Sequence, residues 1–253
     1  MKELLTTIVL ILFCSTIMWG QELTADQIIQ KVNDLMNQKT VYATMRMTFI
    51  TTSGEERTLE YESWSKDRGE KNLIRYTKPS RVKDLAMLLL NNANDIWSYN
   101  PRTKRVRKMA THYKKQKMQG SDFTYEDMGS GDAFITDFTA RRLDDEKMER
   151  YNCYKLELTK KKNVASQYSR LIMWIIKENF VPVAVDYYDE DDPNRWLKRL
   201  VQYDIKEIDG VPTSMRMVMY NKEDNAQTSM EIVSVKYNAP MDDNMFTERE
   251  LQK

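Results

Sequence analysis

The chain of 253 residues is poor in the residues that most catalytic sites are built from: it has one histidine and two cysteines. The single histidine, His112, leaves no second imidazole for a His-dependent triad beside a histidine metal site, and no cysteine pair exists to hold zinc. No GxGxxG, P-loop or GxSxG run occurs. The acidic run Asp189-Glu190-Asp191-Asp192 lacks the spaced ligands and glycine of a calcium loop and reads as a solvated turn before Pro193. The absences point away from an enzyme and away from a bound cofactor or metal. A formal net charge of +1 supplies no overall field for nucleic acid. With seven glycines there is no glycine-rich linker, and no internal repeat divides the chain, so one domain is expected over residues 21–253.

The one long apolar run lies at the start. Lys2 precedes Ile8-Val9-Leu10-Ile11-Leu12-Phe13, and Gly20 follows, the pattern of a secretory signal peptide over residues 1–20. An uncleaved anchor is the alternative, but the run is shorter than the roughly 20 residues of a span. A lipoprotein reading would acylate Cys14. After cleavage Cys153 stands alone, so no intrachain disulfide forms, and a buried, inert thiol is expected.

Thr24-Ala-Asp-Gln27 is a capping-box pattern, and Ile28, Ile29, Val32, Leu35 and Met36 follow at helical spacing, which predicts an amphipathic helix to about Gln38. The period then changes to two. Met45, Met47 and Phe49 alternate with Thr44, Arg46 and Thr48, and similar runs recur to Tyr237, about eleven or twelve strands in all. Asp209-Gly210 between two long runs signals a hairpin. Met87–Leu90 and Leu171–Ile176 are apolar on both faces, so each needs a cover on both sides or a ligand on one. An incomplete antiparallel barrel with a helix packed on it meets that requirement.

Met215, Met217 and Met219 share one strand face, as do Met45 and Met47. Flexible thioethers suit either an ordinary core stripe or a surface that accepts varied apolar partners. Eight cations from Arg102 to Lys117, Arg105, Arg107 and Lys108 among them, read as a site for anionic headgroups or an acidic partner, or as charge protecting a strand edge. In Gly120–Met128, Ser121 or Asp122 can cap a short helix that Gly129 stops, with Tyr125 and Met128 on one face.

Gly120-Ser-Asp-Phe-Thr-Tyr-Glu-Asp, with Ile96-Trp-Ser-Tyr-Asn-Pro101 and the basic hairpin before it, resembles the outer-membrane lipoprotein-sorting proteins of the LolA-like superfamily. The order of features agrees: signal peptide, helix, Met-rich strand, Ser-Gly turn, then a strand ending Tyr-Thr-Lys-Pro79. The resemblance implies a mainly β, unclosed antiparallel half-barrel with an N-terminal helix and short lid helices. It implies a periplasmic monomer that receives acyl chains of lipoproteins or lipids in a hydrophobic cavity and moves them between membranes. The implied partners are an inner-membrane transporter and an outer-membrane acceptor, since members of this branch often accompany transporters of the resistance–nodulation–division type. An adaptor subunit of such a transporter, without lipid cargo of its own, is the alternative. Classical carriers have a tryptophan–valine–lysine–arginine run whose arginine is functionally important; the corresponding stretch here is Trp64-Ser-Lys-Asp-Arg68, one residue longer. The expected cavity lining is Met45, Met47, Trp64, Ile74, Leu88, Trp97, Met173, Ile175, Met215 and Met217. Phe123, Tyr125 and Met128 are expected in the lid, and Arg68, Arg105, Arg107 and Lys108 in partner or headgroup contacts.

Overall fold

The computed structural model describes residues 22–253 apart from 52 and 130; the expected signal peptide and Cys14 lie outside the described residues. The helix α1 covers Ala25–Met36, two residues short of its expected end. Its capping box forms as the sequence suggests: the Gln27 amide donates to Thr24 Oγ1 at 3.2 Å and Gln27 Oε1 accepts from the Thr24 amide at 2.9 Å. Ile28, Ile29 and Val32 turn into the core.

Thirteen strands follow in two meanders. The first holds β1 (Thr40–Ile50), β2 (Glu56–Lys66), β3 (Lys71–Lys78), β4 (Ala86–Leu90), β5 (Asp95–Asn100) and β6 (Arg105–Met109). The second holds β7 (Phe138–Met148), β8 (Tyr151–Lys160), β9 (Tyr168–Ile176), β10 (Pro182–Asp189), β11 (Trp196–Ile208), β12 (Val211–Asn221) and β13 (Ala226–Tyr237). The count exceeds the expected eleven or twelve, and even the short runs at β4, β5 and β6 pair as full strands. They form one antiparallel sheet in the order 6-5-4-3-2-1-13-12-11-10-9-8-7, so β1 pairs with β13 and the edges are β6 and β7. The fold is mainly β, an unclosed antiparallel sheet with few helices. Asp209 and Gly210, at φ of +52° and +76°, make the expected two-residue turn between β11 and β12.

Register explains the doubly apolar strands. Ile74 pairs with Met87 and Leu89 with Ile96, all turned into the main core; Leu73 pairs with Leu88 and Leu88 with Trp97, all turned outward. A C-terminal tail carrying Met241, Met245, Phe246 and Leu251 covers that outer face. On β9, Leu171, Met173 and Ile175 face the main core, while Ile172, Trp174 and Ile176 join Cys153 and Val183 in a second outer cluster. Long cations roof this cluster, with Lys155 Nζ 4.9 Å and the Arg199 guanidinium 5.2 Å from the Trp174 ring. Burial pushes the Cys153 thiol up to about 11, so it stays protonated and unreactive at neutral pH.

Residues 110–137 link the two edge strands and cross the concave side. They hold a 3₁₀ turn at Thr111–Lys115 and two short helices, α2 (Tyr125–Met128) and α3 (Ala133–Thr136). Among the described residues no helix is long and apolar enough to cross a membrane.

Candidate functional site

The segment from Lys117 to Met128 is fastened to the sheet by polar groups and fills the concavity with apolar ones. Met118 donates its amide to the Phe123 carbonyl at 2.7 Å, closing a tight loop whose residues Gln119 and Gly120 have φ of +53° and +85°. Gly120 suits that conformation because it lacks a Cβ. The loop presents Asp122, which is buried. Its amide donates to Thr228 Oγ1 at 2.9 Å, and its carboxylate accepts from Thr228 Oγ1 at 2.8 Å and Asn221 Nδ2 at 3.0 Å. Lys117 Nζ adds an ion pair at 3.3 Å. The helix cap two residues on is Thr124 rather than Ser121 or Asp122: Thr124 Oγ1 accepts from the Asp127 amide and Asp127 Oδ2 accepts from the Thr124 amide. Asp122 is drawn off to the sheet, and Gly129 ends the helix as expected.

Asp127 and Lys198 form the most buried ion pair described, at 2.6 Å with both side chains under 10% exposed. Tyr168 donates to the other Asp127 oxygen at 2.7 Å, and the Lys198 ammonium lies 5.3 Å from the rings of Tyr168 and Tyr187. Burial holds both tyrosine hydroxyls well above the ordinary phenol range. Glu126 is buried too and accepts from Ser166 Oγ, from the Gln167 amide at 3.1 Å and from Gln167 Nε2 at 3.2 Å. Burial raises its pKa above the usual glutamate value, against the pull of those donors and of Lys114.

A second fastening holds α1 to the same linker. Asn33 Nδ2 donates to Asp132 Oδ1 at 2.7 Å, and Asn37 Nδ2 donates to the Gly131 carbonyl at 2.8 Å. Arg68 reaches from the β2–β3 turn to Asp34 at 2.8 Å and Asp132 at 3.4 Å. Gly69 and Gly131 both have positive φ, and a Cβ on Gly69 would come within 3.0 Å of the Gly131 Cα, so the close crossing of these loops needs small residues.

Between this linker and the second meander lies a cavity of about 310 Å³, at the lower end for small-molecule sites. Its wall includes six methionines, Met36, Met45, Met128, Met217, Met219 and Met230, with Phe123, Phe134, Phe138, Leu171, Val185 and Leu200. The polar groups of the wall are Lys114, Glu126, Asp127, Asp137, Tyr168, Tyr187 and Gln202, with Tyr168 bonded to Asp127 and packed on Tyr187.

The structure divides the expected site residues. Met45 and Met217 line the cavity; Met47, Ile74, Met173 and Ile175 face the same core but are packed into it. Trp64, Leu88 and Trp97 lie on the other face of the sheet, beneath the C-terminal tail, and are not cavity residues. The Leu88 strand is apolar on both sides because the tail, not a ligand, covers the outer one. Met215 lies by Ile205, Ile232 and Arg150 in a surface dip away from the cavity. The β11 strand has a positive φ at Asp204 near this point, and the β11–β12 pairing skips the residue. Of the lid residues, Phe123 and Met128 line the cavity and Tyr125 packs in the core. Arg105, Arg107 and Lys108 stand exposed on the edge strand β6, with Lys108 paired to Asp95 at 2.6 Å and set over Trp97. Arg68 serves the linker contact just described. Sequence reading passed over Lys114 as a site in its own right, together with Met219, Met230, Tyr168 and Lys198. Met219 is visible as a strand-face methionine; nothing in the sequence marks Met230 as a wall residue or the inward turn of Lys114.

A family model described as an uncharacterized protein matches residues 68–253. No curated protein matches the sequence. Among solved structures, a domain described as an outer membrane lipoprotein-sorting protein, from Vibrio parahaemolyticus, is 24% identical with a TM-score of 0.80, over 90% of this chain and 98% of that one. A DUF1329 family protein from Desulfovibrio piger is 23% identical, with a TM-score of 0.80 over 90% and 97% of the two chains. A LolA superfamily protein from Nitrosomonas europaea is 19% identical, with a TM-score of 0.75 over 90% of this chain and all of that one. These likenesses are of fold, and the family match spans well over half of the chain, so the protein belongs to that uncharacterized family and has a LolA-like fold.

Proposed function

We propose that this protein carries acyl chains of lipids or lipoproteins in its methionine-lined cavity and passes them between membranes without chemistry, in the periplasm after removal of residues 1–20. The observation that supports this reading best is an apolar cavity closed by a linker whose attachment is polar. Burying an acyl chain is favourable by about 0.8 kcal/mol per CH₂, enough for reversible carriage by a single chain. Methionine walls adapt to chains of differing shape. The polar fastening at Asp122, Glu126 and Asp127 gives the linker one defined closed position, and handover then requires an acceptor that displaces it. The sorting role named for the Vibrio parahaemolyticus domain agrees with this reading.

Native mass spectrometry of the protein purified from its own cells, followed by lipid extraction, tests it. A stoichiometric lipid or acylated peptide is expected. A bare protein mass, with no uptake of added lipid, would overturn the carrier reading. The exposed cations of β6 would then favour an adaptor that meets an acidic partner at an unpaired strand edge.

A further inference from the structure

Of the eight cations between Arg102 and Lys117, seven are exposed and one is not. Lys114 is 7% exposed; its side chain turns inward from the 3₁₀ turn and reaches the cavity wall. Among the described residues it makes no ion pair, and its ammonium donates one hydrogen bond, to Asn94 Oδ1 at 3.2 Å. An ammonium carries three donors, so two are left without described protein acceptors in a buried setting. Glu126, whose carboxyl senses the Lys114 charge, is bonded by Ser166 and Gln167, and no hydrogen bond or ion pair joins it to Lys114 among the described residues. Lys198, the other buried lysine, differs: Asp127 and the Asp122 carbonyl receive its protons. Asp137, also on the cavity wall, accepts from Thr136 Oγ1 at 2.8 Å. A buried charge without a partner is costly, and a ligand that supplies the partner recovers that cost.

We propose that Lys114 anchors the anionic group of the cargo, so that the cavity takes a single-chain amphiphile with one carboxylate or phosphate at its head. The inference rests on the carrier reading above and specifies the cargo. The apolar wall receives the tail, and Lys114 receives the head. A volume of about 310 Å³ suits one chain rather than the two of a diacyl lipid. A charge-assisted hydrogen bond to Lys114 fixes which end of the chain enters last.

Isothermal titration of the protein with three probes of equal chain length decides it: dodecanoate, dodecyl phosphate and dodecanol. The expected result is that at least one anion binds about tenfold or more tightly than dodecanol, the scale of one hydrogen bond to a charged group. Lys114→Met should remove the preference of the anions over dodecanol, and Lys114→Arg should restore it. A preference for dodecanoate assigns a fatty-acid head, and a preference for dodecyl phosphate assigns a phosphomonoester. Equal anion affinity in wild type and Lys114→Met overturns the anchor, as does a Lys114→Met variant that weakens all three probes alike. If wild type binds dodecanol but shows no anion preference, the anchor fails and the carrier reading stands. If it binds none of the three, both fail.

Discussion

On the concave side of β2–β5, the inward residues Leu59, Tyr61, Ile74, Tyr76, Met87, Leu89 and Ile96 are each no more than 2% exposed. Met118 and Tyr125 of the linker belong to the same packed cluster. The second meander has the same alternation and a similar stock of apolar side chains, yet its inward face borders open space. The first meander contributes one residue to the cavity wall, Met45; β9–β13 contribute half of the others, and the linker most of what remains. The outer faces differ as well. The first is covered by a separate stretch of chain, the tail with Phe246 and Leu251, and the second by the cationic heads of Lys155 and Arg199 over Trp174. Alternation therefore decides which residues turn inward, whereas the linker decides whether they meet packing or a void. A packed half gives the protein its stability, and a hollow half gives it room for a guest.

The contrast can be broken most severely at the buried ion pair that ties linker to hollow half. Lys198→Ala leaves Asp127 charged and buried, so a loss of about 3–5 kcal/mol is expected in denaturant unfolding. Truncation in the two halves should then differ. Met47→Ala, at a fully buried position, should cost about 2–5 kcal/mol, since tight packing leaves a new void. Met217→Ala, half-buried on a wall that already borders space, should cost about 1 kcal/mol. Equal costs in paired urea curves would mean that the hollow half is filled in solution.

A smaller effect concerns pH. The folded pKa of Glu126 is raised by burial, so the native state holds its proton to higher pH than the unfolded chain does. Its contribution is fully present below the unfolded glutamate value and is lost as pH rises through the folded value. Glu126→Gln should therefore gain thermal stability relative to wild type as pH rises from about 4 to 7. A difference in Tm that does not vary with pH would mean that Glu126 binds its proton equally well in the folded and unfolded chains. The smallest change is expected at the β6 edge. Arg105→Glu with Arg107→Glu should alter stability by no more than about 0.5 kcal/mol, because both side chains are exposed. A larger loss would show that this edge is structural.

Much of the fold was open to reading because its signals are local. The Thr24 capping box, the Asp209-Gly210 turn and the inward methionines of β1 each depend on residues close in sequence. The family resemblance carried by Gly120–Asp127 led to the right fold, although the residues in it act at long range. Asp122 reads locally as a helix cap, and nothing near Glu126 marks its role; their partners Thr228, Asn221 and Ser166 lie 40 to 106 positions away. The cavity lining was harder. Leu88 sits on a strand that needs a cover on both faces, with Trp64 and Trp97 beside it on the outer one, and the sequence does not say which cover is a ligand. The answer lies in a tail whose apolar residues are spaced among acidic ones, too sparsely to announce a covering element. Lys114 was unreadable for a different reason: a 3₁₀ turn aims consecutive side chains in different directions, so one lysine of a basic run can point inward.

The pairing of β1 with β13 bears on how the chain reaches this state. Every other neighbouring pair of described strands is consecutive in sequence and can zip as a hairpin soon after it is made. The central pair joins Val41 to Tyr237, and Thr40 Oγ1 donates to the Ala239 carbonyl at 2.7 Å, so the two ends of the sheet region meet in its middle. Joined there and cut in the linker, the same thirteen strands would form one uninterrupted meander. The natural order instead delays the seam until the last strand has been made. Until then each half exposes a long unpaired edge, a hazard for aggregation. The slow step of assembly is thereby placed at the end, when the two halves already exist and need only find each other.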